Sequence, residues 1–270
     1  SEHWAWMSCG QQTMDWTIIR VTASRNLADD SYGSWVDFRS DVVSLAGEQL
    51  DFADYDADND GVLDVMWILA TTPNQENADY CRGGAGQILG RISNGERVRA
   101  NTFLDGQDSY SVKCGAYGNF NHEIGHCFGL PDLYGECDRL KYLSLMSDSW
   151  PVPAFGFCAY DRVKLGWVEP MLVESTKYDL ELKPAETNLQ CIKIPTSSPA
   201  EYFLVEYRKK PTRGFGSLRD HSHPAYDGLA IYHVDERRIL TGNSTDPPLV
   251  SLESPQGFHT GMPTTNDFWY

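Results

Sequence analysis

No apolar run in this 270-residue chain approaches the roughly 20 residues that cross a bilayer, so no membrane span is expected. No two of the seven cysteines (Cys9, Cys81, Cys114, Cys127, Cys137, Cys158 and Cys191) form a C-x-x-C pair, which argues against a thiolate metal site. Positive charge is scarce too. The 22 Lys and Arg residues face 38 Asp and Glu, for a net charge of −16, and that balance speaks against nucleic-acid or anionic-membrane partners. The chain opens at Ser1 with neither an initiator methionine nor a signal peptide, and it reads as a processed or trimmed product.

What is present is ample for a globular protein. At 41% hydrophobic the chain can bury a sizeable core, and its length allows one large domain or a domain with an appended subdomain. In an oxidising compartment seven cysteines allow up to three disulfides and one free thiol. In a reducing one they are buried free thiols. The pairing is not deducible from sequence. Asn243-Ser244-Thr245 is a glycosylation sequon, informative only in a eukaryotic secretory host.

The most informative stretch is Asn121-His122-Glu123-Ile124-Gly125-His126-Cys127-Phe128-Gly129-Leu130-Pro131-Asp132. On a helix, positions i and i+4 share a face, so His122 and His126 can aim two imidazoles at one point. Two imidazoles suit zinc, and Glu123 suits a base acting on water held there. Catalytic zinc usually has three protein ligands and a water, and Asp132 is the candidate third. Gly129 can take the left-handed conformation that ends a helix. Pro131 forces Leu130 extended, so the chain turns and can send Asp132 back. Cys127 points about 100° away from His126 and is a packing or disulfide residue.

Upstream, Asp56, Asp58, Asp60 and Asp64 alternate around Gly61, and Val62 can add its carbonyl. Such a loop can supply most of the six to eight oxygens of a calcium ion. The competing reading is a solvated acidic turn. It is not an EF-hand, because Trp67 stands where the twelfth-position glutamate belongs. Strands are expected over 14–22, 65–70, 97–103 (an edge strand), 110–115, 178–182, 190–194, 202–208 and 228–235. Helices are expected from Ser34 to about 50, over 118–128 and over 155–167. After Gly242 the tail reads as loop. Glu206, His233 and Asp235 read as structural polar residues at strand ends, and His221 and His223 as exposed. Met146, in a tight turn after the helix, stands where zincins of the Met-turn class place a methionine beneath the metal. A gap-filling core methionine is the ordinary alternative.

The run His122-Glu123 to His126, with Gly129-Leu130-Pro131-Asp132-Leu133-Tyr134, resembles the immune inhibitor A family of secreted zinc metallopeptidases. Three further pieces agree in order: the acidic stretch 54–64, Ser144-Leu145-Met146-Ser147 followed by Trp150, and the later Leu165-Gly166-Trp167 with Gly228 to Asp235. The similarity spans roughly residues 34–240. It implies an α+β fold, with a zincin-type catalytic domain over 1–170 and an antiparallel β subdomain over 171–270. It also implies a secreted, monomeric endopeptidase freed from a propeptide and acting on protein or peptide substrates. His122, His126 and Asp132 would bind one catalytic zinc and Glu123 would be the base. Calcium would sit at 56–64.

The expected reaction is peptide-bond hydrolysis by zinc-activated water, Glu123 taking its proton and delivering it to the leaving amine. One rival is a secreted binding module with a structural zinc, but such sites are closed by four protein ligands and need no base. Another is an exopeptidase, or a peptidase of a different zincin clan, whose third ligand would be a glutamate well downstream.

Overall fold

In the computed structural model of the chain, the described residues are 2–24, 35–57, 59, 61–71, 88–89, 97–105, 116–135, 140, 143–147, 156–209, 227–244, 247–255 and 265–269. The fold is mixed α+β, with a three-stranded and a five-stranded sheet among these residues. The chain forms two compact units, one of residues 16–128 and one of 1–15 with 129–270. No helix among the described residues is long and apolar enough to cross a membrane.

In the 16–128 unit, helix α2 (Trp35–Gly47) buries Val42, Val43 and Ala46 against Phe52, Leu63 and Ile68. Positions 42, 43 and 46 fall on one helical face, which is why this segment pays its ordering entropy as a helix. Strand β1 (Val62–Thr71) pairs in parallel with β3 (Arg97–Asp105), and β2 (Ile88–Leu89) pairs antiparallel with β3 on its other side. The strand over 97–105 is therefore central and not an edge, since both its flanks are occupied. Helix α3 (Ala116–Cys127) ends the unit. Residues 14–22 form no strand. They run extended, and Ile19, Val21 and Ala23 pack alternately on the core while Ile18 stays 86% exposed. Tyr55 Oη–Thr17 Oγ1 (2.9 Å), Ser24 N–Asp41 (2.8 Å) and Gln49 Nε2–Arg20 O (3.3 Å) hold the stretch down in place of a ladder. Residues 110–115 and His221 and His223 lie outside the described residues.

In the other unit, α1 (Glu2–Met7) is a helix that sequence did not suggest. Its Trp4 packs edge-on against Phe157 and Trp167, with ring centroids 5.6 and 5.7 Å away. Helix α4 (Ala159–Lys164) is shorter than the expected 155–167, because Phe157 and Cys158 are non-helical and Gly166 turns the chain with φ +70°. The sheet runs β4 (Met171–Leu172), β5 (Ile192–Pro195), β6 (Glu201–Arg208), β7 (Gly228–Asp235) and β8 (Val250–Glu253) in that order. It is antiparallel except that β4 joins β5 in parallel, so the sheet is mixed and not purely antiparallel. Residues 178–182 are not a strand: Asp179 sits at φ +57° and Tyr178 is 83% exposed. In their place β8, within the supposed loop tail, completes the sheet.

Beneath the sheet lies a buried charge network. Glu206 meets Arg162 at 3.2 Å and Arg208 at 3.1 Å and accepts from Tyr232 Oη at 2.7 Å, while Arg208 also meets Glu186 at 2.9 Å. Each charge is matched, which is the condition for tolerating such burial. Cys9, Cys158 and Cys191 are free thiols. With these three free, four of the seven cysteines remain, enough for at most two disulfides. Burial holds the Cys158 thiol well above its ordinary pKa and pushes Cys191 up to about 12, so neither is a thiolate at neutral pH.

Candidate metal centre

The site is built at the C-terminal end of α3. His122 and Glu123 are buried and His126 is half-buried. The helical repeat brings the two imidazoles edge to face, with centroids 4.8 Å apart and planes at 90°. Their Nε2 atoms are 3.1 Å apart. Two nitrogens bound tetrahedrally to one zinc, each at 2.0–2.1 Å, stand about 3.3 Å apart, so the rings already have nearly the spacing of a shared metal. Without one, the same spacing lets one ring donate an N–H to the other.

The helix ends as the sequence implies. The N–H of Phe128 donates to the carbonyls of Ile124 (3.3 Å) and Gly125 (3.1 Å), and Gly129 follows at φ +81°. Only glycine enters that region without steric cost. Leu130 and Leu133 are buried, which fixes the direction of the outgoing chain. Within this one unbroken stretch, 116–135, His122, His126 and Asp132 each offer a ligand atom, all within 4.8 Å of one another. Two imidazoles and a carboxylate are a donor set that fits zinc. Cys127 is no member of it: its Sγ turns back along the helix to the carbonyl of Glu123 at 3.6 Å.

Met146 is fully buried in a turn over 145–147. Its carbonyl accepts from the N–H of Leu133 at 2.8 Å, so the turn is bonded to the residue directly after Asp132. Its N–H donates to Ser144 Oγ at 3.0 Å, and that hydroxyl donates to Asp161 at 2.5 Å. The same Asp161 oxygen accepts from the N–H of Cys158 at 3.0 Å, capping α4. Burial pushes the Asp161 carboxyl up to about 6, against the opposing pull of Ser144, Cys158 and Arg162. Ser144 and Asp161 are thus supporting residues that the sequence did not single out. A serine two positions before Met146 was the available signal, because such hydroxyls bond backbone N–H groups nearby.

A further support was hidden in the sequon. Asn243 is 1% exposed. Its amide donates to the carbonyls of Leu133 (2.9 Å) and Val250 (2.7 Å), and its oxygen accepts from the N–H of Val250 (2.9 Å). The nitrogen that would carry a glycan is buried and fully used, so Asn243 is a structural residue of the turn over 241–244 and not an accessible glycosylation site.

In the acidic loop, Asp56 is buried and accepts from the N–H of Gly61 at 2.9 Å, and exposed Asp64 accepts from the N–H of Ala57 at 3.2 Å. Gly61 (φ +80°) and Asn59 (φ +58°) make the tight reversal. Val62 opens β1. Asp58 and Asp60 lie outside the described residues. Glu206 and His233 lie within β6 and β7, and Asp235 ends β7. His233 bonds Glu201 at 2.8 Å, and Asp235 accepts from Arg237 Nε at 2.6 Å.

No protein-family model matches the chain, and no curated protein matches it.

Proposed function

We propose that the chain is a secreted zinc-dependent endopeptidase with a zincin-type catalytic region, as its resemblance to the immune inhibitor A family implies. The observation that carries this reading is the His122–His126 pair, its Nε2 atoms 3.1 Å apart beside a buried Glu123. His122, His126 and Asp132 would hold the zinc. The bound ion would supply Lewis acidity toward a water and the scissile carbonyl. The residues do the rest. Glu123, next to a ligand on the same helix, takes a proton from water and delivers it to the leaving amine. Met146 would serve as the methionine beneath the metal; it is buried, and its turn is bonded to the peptide after Asp132.

A structural zinc in a binding module would need a fourth protein ligand and no base. Among the described residues three side chains gather, and a glutamate stands beside the first. Both points support the catalytic alternative. The reading also includes a propeptide that is removed, a monomeric enzyme, protein or peptide substrates, and structural calcium held by Asp56, Asp58, Asp60, Val62 and Asp64.

Purified protein is expected to cleave casein. The activity should disappear with phenanthroline, and should fall by about 10²–10⁴-fold in Glu123→Ala with zinc still bound. Cleavage that survives both treatments rules the reading out.

A further inference from the structure

We propose that Asn243 is a positioning residue of the metal centre: its side-chain amide fixes, across 110 positions of sequence, the peptide that carries Asp132. This rests on the zinc reading above. Leu133, the residue after the ligand, is held at both ends. Its N–H donates to the carbonyl of Met146 at 2.8 Å, and its carbonyl accepts from Asn243 Nδ2 at 2.9 Å. Asn243 cannot swing away, because its remaining N–H and its oxygen are both bonded to the backbone of Val250 at the start of β8.

Packing repeats the message. A Cβ at Gly242 (φ +55°) would collide with the carbonyl oxygen of Asp132, and one at Gly135 would collide with the carbonyl of Asn243. The turn over 241–244 therefore touches Asp132 and Gly135 at backbone contact distance and Leu133 through Asn243. A ligand carboxylate on a loose loop must be ordered when metal binds, whereas one on a clamped peptide is ordered beforehand. The clamp also accounts for a buried, triply bonded asparagine in a turn, a position where exposure is the rule.

The test measures zinc affinity by chelator competition, with the visible spectrum of the cobalt-substituted protein as a second readout. Asn243→Asp keeps the shape but replaces the two N–H donors with an oxygen facing two carbonyls. Asn243→Ala removes the clamp. Leu252→Ala is the control, a buried β8 residue whose ladder partner is Tyr232. Both Asn243 variants are expected to lose about 10–100-fold in zinc affinity, the usual range for an outer-shell partner, and to shift the cobalt bands. Leu252→Ala should bind within about threefold of wild type. Wild-type affinity in the Asn243 variants, or an equal loss in Leu252→Ala, overturns the proposal alone. A wild-type chain that takes up no zinc overturns the zinc reading together with it. If neither Asn243 variant folds, amide exchange in the unaltered chain decides. Zinc should slow exchange at both Leu133 and Val250, and metal binding that leaves Val250 unchanged overturns the clamp.

Discussion

The two segments proposed to hold metals are built on opposite plans. The 56–64 loop closes on itself: Asp56 bonds Gly61 five residues on, and Asp64 bonds Ala57 seven residues back. The 129–135 segment is tied to residues far along the chain. It is held by Met146, by Gly242 and by Asn243, the last from 110 positions away. A self-closed loop keeps its form when its surroundings loosen. A segment clamped from outside keeps its form only while its whole unit is intact, but its carboxylate is then placed with the precision of a packed core.

The sharpest way to break the comparison is at the ligand itself. Asp132→Ala should lower zinc affinity by more than about a thousandfold, over about 4 kcal/mol, without changing calcium uptake at the upstream loop. Titration of both metals in one sample measures this, and parallel losses would mean the two segments are not independent.

The next effect, about 3 kcal/mol, comes from the outside clamp. Asp161 supports Met146 through Ser144, and its carboxyl titrates near about 6 against an ordinary 3.8. The native state therefore prefers the protonated form. That preference contributes fully to stability below about pH 4 and is lost as pH rises through about 6, amounting to about 3 kcal/mol. Asp161→Asn keeps an oxygen for Ser144 and Cys158 but carries no charge, so its denaturation midpoint should be flat across that window where the wild type declines. A decline of the same size in the variant would place its origin elsewhere.

The smallest effects separate the members of the self-closed loop. In calcium-free buffer Asp56→Ala should lower stability by about 1–2 kcal/mol, because it strands the N–H of Gly61 beside a buried position. Asp64→Ala, at an exposed site, should cost under about 0.5 kcal/mol. Adding calcium should raise the melting temperature of the wild type and leave both variants behind. Equal calcium responses in all three would show that neither carboxylate binds the ion.

How much of this was legible in sequence follows from the same contrast. His122, Glu123, His126, Gly129 and the 56–64 acids announce themselves because their interactions span a few residues and a helical or turn repeat. Strands over 65–70, 202–208 and 228–235 were legible from β-branched runs flanked by breakers. Residues 14–22 and 178–182 have the same texture but find no neighbouring strand, and propensity says nothing about a partner. Val250-Ser251-Leu252-Glu253 was missed for the converse reason, a short polar-looking run with a ladder waiting beside it. Asn243 was read through the motif around it, and its real partner, Leu133, has no trace in local pattern. Asp161 and Ser144 likewise work through each other, 17 positions apart.

The 110-residue reach of Asn243 also orders events in time. During synthesis the His122–His126 pair can form as soon as its helix does, because those contacts are local and fast. The peptide after Asp132 can meet Met146 early, but its carbonyl is clamped only once the turn over 241–244 and the first residue of β8 have emerged and docked, late in the growth of the chain. Closing so long a loop is slow and entropically costly. The nascent chain thus carries two histidines and a glutamate for most of its growth, and the third donor is locked in only near the end.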